Sequence, residues 1–202
     1  MKELVELFES GKIAILPSDT VYGIFADATN VEAIKRVDEA KGSNKPHLMV
    51  VSSIEMLKEY VSEIDDLQEK IIKEYWPNTL TILFKKNSKV SDELTKGSPF
   101  VGVRMPNNKF LLELLNEYKK PLLSSSANIT NEKVITNVKM LDDRLKSKID
   151  YIYDAGDLSD IASTLIKVEN NKIIFLREGI LANRIKEDFS EYIDHSNWLW
   201  YN

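Results

Sequence analysis

Apolar and polar positions along the chain follow two alternating periods. In "MKELVELFESG", Leu4, Leu7 and Phe8 fall on one helical face, and Gly11 can close the helix. "IAIL" (13–16) is an unbroken apolar run and reads as a short buried strand. "NVEAIKRVDEAKG" returns to helical spacing, with Asn30 as its cap and Gly42 after its end. "HLMVVS" (47–52) reads as a strand. "SIEMLKEYVSEIDDLQEKIIKEYW" steps its apolar residues by three and four, which predicts a helix pair or one broken helix. "TLTILF" (79–84) alternates threonine with apolar residues and reads as a strand.

The second half continues in the same way. "FVGVRMP" is a strand ended by Pro106, "NKFLLELLNEYKK" a helix, and "PLLSSSAN" a strand running into a loop. "VKMLDDRLKSKI" (138–149) predicts a helix. "YIYDAG", "STLIKVE" and "KIIFLREG" predict short strands, the last two joined by the turn "NN". The tail "EYIDHSNWLWYN" carries Trp198 and Trp200, which read as packing residues. Strands and helices mix without strict alternation. The expected fold is therefore α/β, a mixed twisted sheet with flanking helices. No repeat, low-complexity run or Gly/Ser/Pro linker divides the chain, so residues 1–202 are expected to form a single domain.

Composition narrows the chemistry. Charged residues are 29% and hydrophobic ones 43%, as in ordinary globular proteins. No apolar run approaches the ~20 residues that span a bilayer, and the acidic start does not resemble a signal peptide. Cysteine is absent, which excludes disulfides and thiolate metal sites and fits a cytoplasmic protein. His47 and His195 are too few for a zinc site, and no metal site built of protein side chains is expected. The net charge of −5 disfavours a general nucleic-acid binder, so any anion must meet a local cluster of Lys and Arg.

One stretch interrupts this regular pattern. In "AILPSDTVYGIFAD" (14–27), a buried strand stops at Pro17 and is followed by Ser18, Asp19 and Thr20. A plain turn is one reading. A loop receiving a small polar ligand at a strand end is the other, since ligands gather at the carboxyl ends of strands in open α/β sheets. There is no Walker loop, no G-x-G-x-x-G and no G-x-S-x-G elbow. Ser124-Ser125-Ser126 suggests a nucleophile, but its base would have to be His47 or His195, and His195 lies in the polar tail. What remains is a set of small hydroxyls, amides and cations at strand ends. It comprises Ser18 and Thr20, Arg104, Ser124, Ser126 and Asn128, Ser163 and Thr164, and Arg177. Arginine forms bidentate bonds to carboxylate or phosphate, so such a lining suits an amino acid beside a nucleotide. Each residue also has an ordinary structural reading as ion pair, turn or strand residue.

Six segments, in order, resemble the YrdC/TsaC family, the threonylcarbamoyl-AMP synthases. "PSDTVYGI" is similar to its P-T-D-T-V-Y-G-L, "YWPNTLTIL" to its W-P-G-P-L-T-L, and "VGVRMPNN" to its V-R-x-P. "LLSSSANIT" is similar to its T-S-A-N-x-S, "STLIKV" to its S-T-V-V-D, and "FLREG" to its R-x-G. The resemblance runs from about residue 11 to about residue 180. It implies an open twisted sheet around a deep, positively lined cavity. It also implies a reaction joining L-threonine, bicarbonate and ATP into threonylcarbamoyl-AMP and pyrophosphate, with Mg²⁺ on the ATP. A partner transferase complex would then place the threonylcarbamoyl group on a tRNA adenosine. Some family members carry a further C-terminal domain, which this chain is expected to lack.

Carried over residue by residue, the resemblance puts Ser18, Asp19 and Thr20 in a wall of the threonine pocket, with Tyr22 close by. Arg104 would hold the threonine carboxylate, with Ser124 beside the amino acid. Ser126, Asn128, Ser163 and Arg177 would face ATP. The family's Lys-x-Arg is altered in "AKGSNKPHLMV". If Lys41 keeps the lysine place, two residues are missing and Ser43 replaces the arginine. If the spacing back from Pro46 is kept, Lys41 takes the arginine place and Glu39 the lysine place. Lys41 and Lys45 are therefore expected to share the phosphate and catalytic work. Ser18 replaces a usual threonine, and Asn78-Thr79 a usual Gly-Pro. Two rivals stay open: a factor binding double-stranded RNA or assisting ribosome maturation, and an inactive member of the family.

Overall fold

The structure, a computed structural model, describes residues 1–194. His195 and the two tryptophans expected to pack, Trp198 and Trp200, lie outside the described residues.

Helix α1 (Lys2–Glu9) buries Leu4, Leu7 and Phe8, as the spacing predicts. Strands β1 (Ala14–Pro17) and β2 (Tyr22–Asp27) flank the Ser18–Thr20 turn and pair antiparallel. Helix α2 (Val31–Lys41) starts at Asn30, whose side chain accepts from the Glu32 and Ala33 N–H groups, and ends at left-handed Gly42. β3 (Leu48–Val50) is shorter than the predicted strand. The 53–76 segment resolves into two helices, α3 (Ile54–Lys58) and α4 (Asp66–Tyr75), the second opened by an Asp65–Gln68 capping box. β4 (Leu80–Lys85), β5 (Phe100–Arg104), α6 (Lys109–Tyr118) and β6 (Leu122–Ser126) follow as expected. The sequence pattern did not reveal α5 (Asp92–Thr95), a single turn too short to show a period.

The helix expected over 138–149 is broken. A 3₁₀ turn (Val138–Met140) is followed by α7 (Asp143–Lys146) alone. Asp142 is the reason: its carboxylate accepts from the Arg144 N–H and caps a new helix instead of continuing the old one. Of "YIYDAG" only β7 (Tyr151–Ile152) pairs, and residues 153–163 cross the molecule without regular structure. β8 (Thr164–Glu169) and β9 (Lys172–Arg177) form the predicted hairpin, with φ of 52° and 56° at Asn170 and Asn171. Helix α8 (Ala182–Asp188) closes against the sheet through Ile185 and was not foreseen.

The strands form one open mixed sheet in the order β7-β1-β2-β6-β3-β5-β4-β8-β9. This bears out the α/β expectation of a twisted mixed sheet with flanking helices. One face carries Ile15, Ile24, Met49, Val103 and Ile166, which pack with residues of α2, α4 and α8. The other face carries Leu16, Phe25, Val50 and Leu122 and is covered by α1 and α6. Register extends that second face beyond those helices. Gly23 lies opposite Ser126, Ser124 opposite Leu48, Val50 opposite Arg104, and Leu165 opposite Arg177. Of these positions Val50 still belongs to the layer of α1 and α6, whereas Leu48 and Leu165 lie outside it. Among the described residues, no helix is long and apolar enough to cross a membrane.

Candidate active site

That uncovered part of the sheet bounds a cavity of about 550 Å³. Most of the candidates from the sequence line it: Ser18, Thr20, Tyr22, Lys41, Lys45, Arg104, Ser124, Ser126, Asn128, Ser163 and Arg177. Asp19 and Thr164 do not; Thr164 is fully buried in the sheet, and its hydroxyl accepts from the Leu181 N–H. The lining candidates come from β1–β2, the end of α2, the ends of β5, β6 and β9, and the start of β8. Segments far apart in sequence thus meet at strand ends, as ligand sites in α/β sheets do.

Arg104 is 4% exposed, so its charge sits in a nearly closed space. It donates to Ser18 Oγ at 3.1 Å and lies 3.5 Å from the Asp19 carboxylate. Asp19 also accepts from Ser18 Oγ at 2.8 Å and from the Asn107 N–H at 3.0 Å. The Ser-Asp-Thr turn therefore does structural work: it orients an arginine. Burial pulls the Arg104 guanidinium below its ordinary pKa, against the opposing pull of Asp19. Its Nε is sealed from solvent and has no hydrogen-bond partner among the described residues.

Arg177 donates to the Ser163 carbonyl at 2.8 Å and to Ser163 Oγ at 2.7 Å. Burial lowers its pKa, and the charge of Arg104 adds to the effect. Two guanidiniums that repel each other across one cavity favour an anion between them. Gly179 makes the Ser163–Arg177 corner possible. A Cβ there would lie 2.3 Å from the Ala162 carbonyl oxygen and 2.4 Å from the Ser163 carbonyl carbon.

The two lysines differ in kind. Lys45 is exposed and donates to Asn131 Oδ1 at 3.1 Å. Lys41 is buried, and its Nζ is held by the Ser126 carbonyl, the Asn128 carbonyl at 2.8 Å and Asn128 Oδ1 at 3.2 Å. Burial, helped by the charge of Lys45, pushes the Lys41 pKa down to about 8. The sequence reading assigns both lysines the same work; the structure exposes Lys45 and buries Lys41 against the loop after β6. Tyr22 is fully buried. Its hydroxyl donates to the Gly156 carbonyl and accepts from the Ala155 N–H, both at 2.8 Å. It anchors the 153–163 segment, which brings Asp160, Ile161 and Ala162 to the lining. Burial raises the Tyr22 pKa against that Ala155 hydrogen bond.

The sequence model of one family, Sua5/YciO/YrdC, described as telomere recombination, matches residues 6–179. The chain belongs to that family. A Methanocaldococcus jannaschii relative is 36% identical over 175 residues, covering 85% of this chain and 82% of its own. A Pyrococcus abyssi protein named threonylcarbamoyl-AMP synthase is 33% identical, covering 84% of this chain. The chain spans only about half of that relative, 51% of its length. The crystal structure of Pyrococcus abyssi Sua5 complexed with L-threonine is 30% identical with a TM-score of 0.89. It covers 96% of this chain and 58% of that one.

For a Sua5/YciO/YrdC domain, the sequence left several lining residues unread. His47, Asp160, Ile161, Thr130, Asn131 and Val134 also border the cavity. Most come from irregular loops, where periodicity carries no information. His47 had a signal: a histidine directly before a strand, with Asp38 one helix upstream. Thr130 Oγ1 is buried without a partner. Among the described residues no group of three His, Cys, Asp or Glu could hold a metal ion, and Asp160 is the sole carboxylate of the lining.

Proposed function

We propose that the protein is a threonylcarbamoyl-AMP synthase, a nucleotidyltransferase that joins L-threonine, bicarbonate and ATP with release of pyrophosphate. The observation that carries this reading is the convergence of Ser18, Thr20, Arg104, Ser124, Ser126, Asn128, Ser163 and Arg177, from five of the six motif segments, on one cavity. Relatives named for this activity and a threonine-bound structural neighbour support it.

In this reading, Arg104 takes the threonine carboxylate, with Ser18 and Asp19 fixing its direction. Thr20, Tyr22 and Ser124 complete the amino-acid wall. Ser126, Asn128, Ser163 and Arg177 border the nucleotide. Lys45 has the reach to meet the phosphates, while Lys41 holds the Ser126–Asn128 loop in place and adds its charge. The threonine nitrogen bonds to the carbon of carbon dioxide to give a carbamate. A carbamate oxygen then attacks the α-phosphorus in line, and the bond to pyrophosphate breaks. Positioning and charge neutralisation carry such transfers. Mg²⁺ arrives as part of the ATP substrate and neutralises phosphate charge. Apart from Asp160, the lining offers it no carboxylate, so phosphate and water oxygens would supply its ligands.

The product is a reactive mixed anhydride, so a transferase complex acting on a tRNA adenosine is its consumer. The same reading implies a cytoplasmic location. The test is pyrophosphate release with each of ATP, L-threonine and bicarbonate omitted in turn. Turnover must need all three. Threonine-independent turnover, or RNA binding without turnover, would replace this reading by one of its rivals.

A further inference from the structure

Carbamate formation releases one proton, and the residues assigned above include no base to take it. Of the titratable side chains on the lining, most are already committed. The Tyr22 hydroxyl is spent on Ala155 and Gly156. Lys41 donates to three acceptors as an ammonium, and Lys45 donates to Asn131. Guanidiniums keep their protons. A carboxylate is intrinsically a weaker base than imidazole.

His47 is different. It is 4% exposed and lines the cavity at the entry to β3. Its backbone N–H is fixed by the Leu94 carbonyl at 3.0 Å. Its Nε2 lies 2.7 Å from Asp38 Oδ1 on α2. A carboxylate only accepts, so Nε2 carries the hydrogen, and Nδ1 of the neutral ring is bare. No described residue bonds to Nδ1, and it is not among the sealed, unpartnered side-chain atoms. The other oxygen of Asp38 is held by Lys96, which also grips Glu93. The carboxylate that orients His47 is therefore itself clamped.

We propose that His47 is the proton acceptor of this cavity, with Asp38 as its positioning residue. The inference rests on the synthase reading. The threonine ammonium gives one proton to Nδ1 and becomes an amine. Bicarbonate loses hydroxide to give carbon dioxide. The amine nitrogen bonds to that carbon, and the hydroxide removes a second nitrogen proton as water. One carbamate, one water and one imidazolium result. Asp38 stabilises the imidazolium, whereas Lys41 and Lys96 oppose it. Burial, the largest influence, keeps the free ring neutral by lowering its pKa.

The test separates the two directions of the reaction. Forward synthesis needs the base. ATP formation from threonylcarbamoyl-AMP and pyrophosphate does not, because the carbamate can leave and decompose in solution. In H47Q, synthesis is expected to fall about 100-fold, the ordinary scale for losing a general base. ATP formation should fall far less than synthesis, and circular dichroism certifies the fold. In D38N, synthesis should fall about 10-fold, with a shifted pH profile and little change in the KM for ATP. Equal losses in both directions, or unchanged synthesis, overturn the proposal. Should H47Q fold poorly, the parent's pH profiles decide: synthesis should fall on acidification while ATP formation does not, and parallel profiles overturn it. A parent that makes no threonylcarbamoyl-AMP at all refutes the synthase reading instead.

Discussion

Lys41 Nζ donates to the Asn128 carbonyl oxygen at 2.8 Å and so ties the last turn of α2 to the loop after β6. The bond places an ammonium where water scarcely reaches. The folded protein holds this charge at a cost on the order of 3 kcal/mol, judged from the pKa near 8 against the ordinary 10.5. A phosphate beside it offsets that cost.

The sign of the pH dependence follows. Between about 8 and 10.5 the unfolded chain binds a proton on Lys41 that the folded protein has lost. The Lys41 contribution is therefore fully favourable above 10.5 and is lost as pH falls toward 8. MgATP should raise the Lys41 pKa and take up protons on binding near pH 8. Calorimetry in two buffers of different ionisation enthalpy measures this uptake, which K41M should abolish. Proton uptake that persists in K41M would assign it elsewhere.

Arg104→Ala should weaken threonine binding by about 2–5 kcal/mol, the cost of stranding a carboxylate in a desolvated pocket. ATP binding should change far less. Titration with each ligand decides; equal losses would make Arg104 a structural residue.

Ser18 offers a finer probe. Ser18→Ala removes the hydroxyl that accepts from Arg104, and should cost about 1 kcal/mol in threonine binding. Ser18→Thr keeps the hydroxyl and should match the parent. If both variants behave alike, the hydroxyl is not what orients Arg104.

Gly179→Ala forces a methyl group into the backbone of Ala162 and Ser163. The loop must shift, and the Ser163–Arg177 bonds with it. Loss of about 1–3 kcal/mol of stability is expected, the overpacking range, together with weaker ATP binding. Unchanged ATP affinity in a folded G179A would detach Arg177 from the nucleotide.

Much of this fold was legible because α1, α2, α4 and α6 each bury one face at helical spacing, and β1 is an unbroken apolar run. Asn30 and Gly42 marked the ends of α2 in advance. The helix over 138–149 misled because its apolar spacing is sound while Asp142 restarts the backbone, a choice of one side-chain hydrogen bond over helix continuity. Site residues were readable where small hydroxyls and arginines stood at strand ends. The commitments of Lys41, Tyr22 and His47 were not. Each depends on partners on other elements, Asn128, Gly156 and Asp38, that only the folded chain brings within reach.

The lining sets Lys41, Lys45, Arg104 and Arg177 against Asp160 alone, inside a chain whose total charge is −5. The rest of the surface is therefore more acidic than the total suggests. An approaching anion meets repulsion first and attraction last. At physiological salt the outer field fades over about 8 Å, while the buried charges within are screened much less. A long polyanion, most of whose charge stays outside the mouth, encounters an acidic body; a small anion that fits inside encounters a basic one. Such a charge distribution would sort anions by size through its field as well as through its walls.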